Sequence, residues 1–381
     1  LLQYIKQTLR RLELKFSNAS KIRKVEELNP DEISVVYHEL QINKPSVIHH
    51  LDYNPNLNGQ IDELFSRYRE VRLFRQYLAV FDNVTFTGRD GLMIFENGSF
   101  CLDHVHFFDD YIRHSKDYYR RWLKRKKVSF NSTEAYSLLG YKPGEFYHMM
   151  SDILPRLYFI KDILPSSIKY IVPKKSPEAF LEAISAIGIE KSQLIFIHEY
   201  EDVQVSKLYW SPPLTYSGFS EPLTSIKLSK NLLKSVYKDQ KISLKKRTYI
   251  TRRDSSKRRV SNEKDLINLL LRYDFQVVEL SNMTFQDQVK VFNNSLLIIA
   301  PHGAGLVNLL YCQQGTRVLE LFPVKMPRGG TCYWSLSSAM KLKYNYVNCQ
   351  SDGNSDDEDF AVPLDNLASW INNDIKNSDH A

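Results

Sequence analysis

From Arg247 to Val347 five short apolar runs alternate with four stretches of helical periodicity. The runs read "RTYIT", "FQVVEL", "SLLIIA", "TRVLELF" and "KYNYV". Between them lie "NEKDLINLLLRY", with Leu266, Leu269 and Leu270 on one face, then "TFQDQVKVFNN", "GAGLVNLLY" and "YWSLSSAM". Thr284 and Asp287 form a capping pair at the start of the second of these. Strands and helices alternating at this length imply an α/β fold with a parallel, doubly wound sheet, each helix being the crossover between neighbouring strands.

The preceding chain reads as a second α/β region. From Asn83 to His106 the period falls to two, with "RDG" and "ENGS" as turns, which predicts a small β meander. "DYYRRWLKRKK" is a charged helix or loop, and "YHMMSDILPRLYFIKDIL" is helical with a proline inside. "KYIVP" and "QLIFIHEY" flank a helical "PEAFLEAISAIGI", a βαβ-like unit. "YWSPPLTYSGFSEP" marks the domain boundary. At the start, Leu2, Ile5, Leu9, Leu12 and Phe16 form the apolar stripe of a basic amphipathic helix, which either packs on the body or lies on a membrane surface. A further helical pattern uses Ile61, Leu64, Phe65, Tyr68, Val71 and Phe74. The expected division is a helical N-terminal extension at 1–80, an N-terminal α/β domain at 81–220, a Rossmann-like domain at 221–350, and an acidic loop with a last helix at 351–381.

With 381 residues, 43% of them hydrophobic, the chain has enough core for two domains and requires no disulfide or metal staple. The net charge of +7 favours anionic partners. Cys101, Cys312, Cys332 and Cys349 show neither CxxC nor zinc spacing, so a reducing compartment is expected. His49-His50 and His104/His106 lack ligands at helical spacing, and no metal is expected. No apolar run approaches the ~20 residues of a membrane span. No signal peptide is read, and because the chain lacks an initial methionine its native N-terminus is expected to be missing. Six N-x-S/T sequons, at Asn18, Asn83, Asn97, Asn131, Asn282 and Asn293, are within what an Asn- and Ser-rich chain produces by chance. The expected location is cytoplasmic, with peripheral membrane contact through the basic helix, or the Golgi lumen for a eukaryotic chain whose anchor has been removed.

In an open parallel sheet ligands bind beyond the carboxyl ends of the strands. His302, Gly303, Ala304 and Gly305 lie at such an end and open a helix, where backbone N–H groups lack partners and glycines let an anion approach. The competing explanation is a tight strand–helix turn. Asn308 follows on the same helix. Arg252 and Arg253 leave the first strand directly and can converge on the same crevice, whereas Lys257, Arg258 and Arg259 read as a solvated extension of that loop. Glu320, one strand further on, can accept the two hydroxyls of a ribose. Together these describe a nucleoside diphosphate site. In the other domain His148 and Asp152 stand four apart on one helical face, either as an ordinary surface hydrogen bond or as a proton-accepting pair. The literal DxD, Asp357-Glu358-Asp359, lies after the last strand and reads as a solvated loop.

"YHMMSDILPRL", "ITRRDSSKRRVSNE" and "APHGAGLVNLLYCQQGTRVLELFP" resemble, in order, the three blocks of glycosyltransferase family 61, with Thr251 for the usual serine and Gln314-Gly315 for Pro-Gly. The motif spacing is more similar to bacterial members. The resemblance implies a GT-B architecture, two Rossmann-like domains facing across a cleft. It further implies an inverting, metal-independent transferase with no cofactor, using a nucleotide-sugar donor such as UDP-xylose or UDP-N-acetylglucosamine and a glycan acceptor, as in polysaccharide biosynthesis. It places Arg252, Arg253, His302–Gly305, Asn308 and Glu320 in the donor blocks and His148 and Asp152 in the facing block, with Asp152 as general base and His148 orienting it or exchanging roles. The alternatives are a non-catalytic sugar-nucleotide or glycan-binding module, and a nucleic-acid binder, which the lack of aromatics interleaved with the basic residues disfavours.

Overall fold

A computed structural model of the chain describes residues 126–140, 142–238, 246–323, 330–351 and 357–378, most of 70–94, and short strands at 22–23, 35–39, 47–48 and 100–101. These residues fall into two units. The first runs over Phe74–Ser217 with the strands at 22–23 and 35–39; the second runs from Gly218 onward with the strands at 47–48 and 70–71.

Strands β1 (Ile22–Arg23), β2 (Val35–Glu39), β3 (Val47–Ile48) and β4 (Glu70–Val71) are the described parts of the segment expected to be helical, so there the expectation is corrected. Val35–Glu39 pairs antiparallel with Tyr77–Phe81, so its backbone groups are satisfied by the neighbouring strand. The amphipathic helix at 1–16, the pattern at 61–69, His49-His50, His104/His106 and most of "DYYRRWLKRKK" lie outside the described residues.

In the first unit β5 (Tyr77–Thr87), β6 (Met93–Ile94) and β7 (Phe100–Cys101) form the expected antiparallel meander. They join β8 (Lys126–Ser137), β9 (Lys169–Pro173), β10 (Leu194–Ile197) and β11 (Glu201–Trp210) in a nine-stranded mixed sheet ordered β1-β7-β6-β5-β11-β8-β9-β10, with β2 beside β5. The β11, β8, β9 and β10 pairings are parallel. The turn Phe146–His148, the π-helical turn Met149–Ile153 and the helix Leu154–Ile160 run on as one rod, α1, and helix α2 (Glu178–Ala186) is the crossover between β9 and β10.

The second unit opens with α3 (Pro222–Tyr237), which the sequence pattern did not disclose; Glu221 caps it by accepting from the N–H groups of Leu223 and Thr224. Then follow β12 (Lys246–Ile250), α4 (Glu263–Leu271), β13 (Phe275–Val278), α5 (Phe285–Asn293) and β14 (Ser295–Pro301). As expected, the Thr284 hydroxyl caps α5, accepting from the Asp287 N–H at 3.2 Å. The stretch Ala304–Tyr311, expected as an α-helix, is instead a 3₁₀ helix, entered through a Leu306 N–H to Gly303 carbonyl bond of 2.9 Å. β15 (Arg317–Pro323), α6 (Cys332–Ala339), β16 (Lys343–Ser351), β17 (Phe360–Ala361) and α7 (Leu364–Ser378) complete it.

The strand order is β13-β12-β14-β15-β16-β17, parallel except for β17. Alternate residues face opposite sides: Tyr249, Leu297, Ile299, Leu319, Leu321 and Val347 pack with α4 and α7, while Ile298, Val318 and Glu320 belong to the opposite face. The chain steps from β12 outward to β13 and then returns past β12 to β14. The crevice at the carboxyl ends of β12 and β14 is therefore the topological switch point, where an open parallel sheet leaves room for a ligand. No helix among the described residues is long and apolar enough to cross a membrane.

Candidate functional site

Arg252 and Gly303 flank that switch point, and the chain explains why they meet. Arg252 leaves β12 two residues after Ile250, and Gly303 follows β14 by two. A Cβ on Gly303 would overlap the Arg252 guanidinium, coming within 2.7 Å of its Cζ. The backbone of Gly303 is extended (φ 174°), so the missing side chain serves close approach rather than a turn. The space that "HGAG" leaves is thus filled first by a cation. Gly305 serves packing: its Cβ would press on the terminal methyl of Leu280, at 2.8 Å. Ala304 opens the 3₁₀ helix, whose first N–H groups have no partner within the helix.

Arg252 is held by hydrogen bonds from Nη2 to the Ser255 hydroxyl (2.9 Å) and the Lys257 carbonyl (3.2 Å), while its buried Nε has no partner. Burial, then the nearby charge of Arg258, push its pKa below the ordinary arginine value. Arg253 does not converge with it. Its Nε lies 4.0 Å from carboxylate oxygens of both Glu263 and Glu279, on the side of β13, because successive residues leaving a strand point apart. Glu263 is fixed in turn by the hydroxyls of Tyr249 (2.7 Å) and Thr251 (2.6 Å).

Glu320 is fully buried, and its two carboxylate oxygens accept from His302 Nδ1 and the Tyr344 hydroxyl. A carboxylate so enclosed orients His302; it has no exposed oxygen for a ribose, which corrects the expected role. Because a carboxylate accepts, His302 turns an Nδ1 hydrogen toward Glu320. The His302 ring packs on Phe322 and Tyr333, with centroids 5.8 and 5.0 Å away. Burial raises the Tyr333 and Tyr344 pKa values well above the ordinary phenol value, so both act as O–H donors. Asn308 is also buried, and its amide donates to Gln288 Oε1 (2.9 Å), tying the 3₁₀ helix to α5 instead of facing the crevice.

In the first unit His148 Nδ1 lies 2.9 Å from Asp152 Oδ2. Asp152 also accepts from the Ser151 hydroxyl on Oδ1 (2.7 Å) and the Ser217 hydroxyl on Oδ2 (2.6 Å). Asp152 sits in the π-helical turn and His148 just before it, and Pro155 accounts for that turn: it has no N–H to bond four residues back to Ser151, so the helix widens before it resumes. Ser217 gives its proton to Asp152 and lies 3.2 Å from His148 Nδ1, so the three groups form one hydrogen-bonded cluster. The side chains are 12% and 17% exposed, against 7% and 0% for His302 and Glu320.

Sequence reasoning missed three participants. Arg156 is buried with its Nη2 on the carbonyls of Ser137 (3.2 Å) and Leu139 (3.4 Å), and it pins the His148–Asp152 helix to the end of β8. Its place four residues beyond Asp152 was the available signal. Tyr333 and Tyr344 are separated from His302 by dozens of residues and left no local signal. Asp357 and Asp359 stay in contact with solvent, as expected of the loop, and also pair with Lys257 and Arg259.

Residues 146–319 match the family model Glycosyltransferase 61. Over 102 residues the chain is 34% identical to a Xenopus laevis Protein O-linked-mannose beta-1,4-N-acetylglucosaminyltransferase 2, covering 26% of this chain and 18% of that protein. The human protein of the same name is 35% identical over 95 residues, 24% of this chain and 16% of the relative. A Drosophila melanogaster EGF domain-specific O-linked N-acetylglucosamine transferase is 32% identical over 100 residues, 26% and 18% respectively. The similarity therefore spans less than a fifth of the length of these relatives.

Proposed function

Because the chain belongs to the glycosyltransferase 61 family through residues 146–319, we propose that it transfers a sugar from a nucleotide sugar to a hydroxyl acceptor. The observation that carries this reading is the contact of Arg252 with the side-chain-free Gly303 at the switch point. It sets a guanidinium beside the first N–H groups of the 3₁₀ helix, a combination suited to a diphosphate.

The reaction is a single displacement. The acceptor oxygen forms a bond to the anomeric carbon on one face as the bond to the diphosphate oxygen breaks on the other, inverting the centre. The acceptor proton passes to His148 Nε2. Asp152 orients the imidazole and steadies the imidazolium, the reverse of the roles expected from sequence, since its oxygens already accept from His148, Ser151 and Ser217. Charge collects on the departing diphosphate, where Arg252 and the Gly303–Gly305 amides stabilise it; losing one such donor costs about 10²–10³ in kcat. His302 Nε2, fixed through Glu320, accepts from a hydroxyl of the donor.

The protein's own cations take the part a metal plays elsewhere. In support, the aspartates of the only DxD are engaged with Lys257 and Arg259. The family includes donors of the UDP type, and the relatives' names specify N-acetylglucosamine, so UDP-N-acetylglucosamine leads and UDP-xylose follows. A GT-B arrangement belongs to the same reading, as does a glycan or glycoprotein acceptor.

The test is UDP release from each UDP-sugar, with and without mannosylated peptide or oligosaccharide acceptors. Acceptor-dependent release that persists in EDTA is the expected result. UDP binding without transfer under every acceptor would mark a binding module, and no UDP binding would overturn the reading.

A further inference from the structure

Three consecutive basic residues, Lys257, Arg258 and Arg259, leave the Arg252 loop, and the structure separates them. Lys257 Nζ pairs with Asp357. Arg259 makes three bonds to Asp359: its backbone N–H to Oδ1 at 2.8 Å, and Nε and Nη2 to Oδ2 at 3.0 and 2.8 Å. The main chains are stitched as well. Arg258 N–H bonds to the Asp357 carbonyl (3.1 Å), Phe360 N–H to the Arg259 carbonyl (3.0 Å) and Ser261 N–H to the Phe360 carbonyl (2.9 Å). The Asn262 side chain closes the seam by bonding both the Val362 N–H and carbonyl at 2.9 Å.

Arg258 alone of the three has no acidic partner among the described residues. Its neighbours on both sides hold it in the left-handed region (φ 55°), unusual for a non-glycine residue and a conformation found where surrounding bonds over-determine it. Its Nε is buried without a hydrogen-bond partner, and so is that of Arg252. Arg252 Nη2 donates to the carbonyl of Lys257, the residue before Arg258, at 3.2 Å, and the nearby Arg258 charge adds to burial in lowering the Arg252 pKa. Two buried guanidinium N–H groups without acceptors, on mutually repelling cations, are a costly arrangement that an anion with several oxygens relieves.

We propose that Arg258 is a second phosphate-binding guanidinium, held toward Arg252 by the acidic strap at residues 357–362, so that the two arginines grip one diphosphate. This rests on the reading of the crevice as the donor site and adds a ligand contact and the device that sets it. Asp359 is a positioning residue in this scheme, acting only through Arg258.

The experiment is calorimetric titration of the full chain with inorganic pyrophosphate and with UDP, at several salt concentrations. Arg258→Ala is expected to weaken both ligands about 10–100-fold, to resemble Arg252→Ala, and to flatten the salt dependence. Arg258→Lys, which keeps the charge but loses the fork, should recover part of the loss and covers the case of a poorly folded alanine variant. Asp359→Asn should weaken binding less, and should cost nothing further in an Arg258→Ala background. If the unmodified chain and Arg258→Ala bind alike while Arg252→Ala loses binding, the inference fails and the donor-site reading survives. If the unmodified chain binds neither ligand, both fall. If Asp359→Asn adds its full cost in the double variant, the strap is merely structural and that part is overturned.

Discussion

The molecule contains two histidine–carboxylate pairs built from the same chemistry in opposite surroundings. His148–Asp152 is partly exposed, and two serine hydroxyls share its carboxylate. His302–Glu320 is enclosed, and a buried tyrosine hydroxyl takes the remaining carboxylate oxygen. A carboxylate with no exposure must be satisfied internally, or the desolvation cost falls on the fold. The enclosed pair therefore fixes a ring, whereas the open pair can exchange a proton with something arriving from solution. Surroundings, rather than residue type, divide the labour.

The sharpest way to break this comparison is to remove each pair separately. His148→Ala should lower kcat by about 10²–10⁴, with a smaller change in melting temperature than the loss of Glu320, because Asp152 keeps the Ser151 and Ser217 hydroxyls as donors. Glu320→Ala should do the reverse in kind, costing about 1–3 kcal/mol of stability for each of the His302 and Tyr344 donors left without an acceptor; denaturant titration measures it. Similar stability losses in both variants would erase the distinction. Gly303→Ala comes next. Its new methyl displaces the flexible end of Arg252 rather than backbone, so UDP affinity should fall about tenfold or more, the loss expected when a charge-assisted contact is broken, with the melting temperature nearly unchanged.

The smallest expected effect is one of pH. Hydrogen bonding to Arg259 holds the Asp359 carboxyl below its ordinary value. A depressed folded pKa contributes stability above the unfolded value and loses it as the pH falls through the folded one. The strap should accordingly stay docked at neutral pH and loosen only under acid, below the usual carboxylate range. Limited proteolysis near residue 357 across that range checks it, and Asp359→Asn should remove the dependence.

The parallel sheet of the second unit was legible because each strand and helix is encoded locally: "SLLIIA" is apolar on both faces because both are covered, and Leu266, Leu269 and Leu270 recur at the helical period. The same reasoning anticipated that Arg252 and the glycine turn would meet and that His148 and Asp152 would bond. It failed where a side chain's role depends on what lies across the fold. Glu320 sits at a strand end like a ribose ligand, but Tyr344 and His302 close over it, and nothing in "TRVLELF" reports them. Arg253 leaves the expected convergence with Arg252 because acidic residues elsewhere along the chain decide which cation is paired: Glu263 and Glu279 draw Arg253, and Asp357 and Asp359 take Lys257 and Arg259. The 3₁₀ form of Ala304–Tyr311 was hidden for a related reason, since its apolar periodicity does not distinguish three residues per turn from 3.6.

The central claim is that the carboxyl-end crevice between β12 and β14 holds a nucleoside diphosphate. A crystal structure with UDP tests it most directly. The account expects the phosphate oxygens within hydrogen-bonding distance of Arg252 and the Gly303–Gly305 amides; phosphates bound away from both would contradict it.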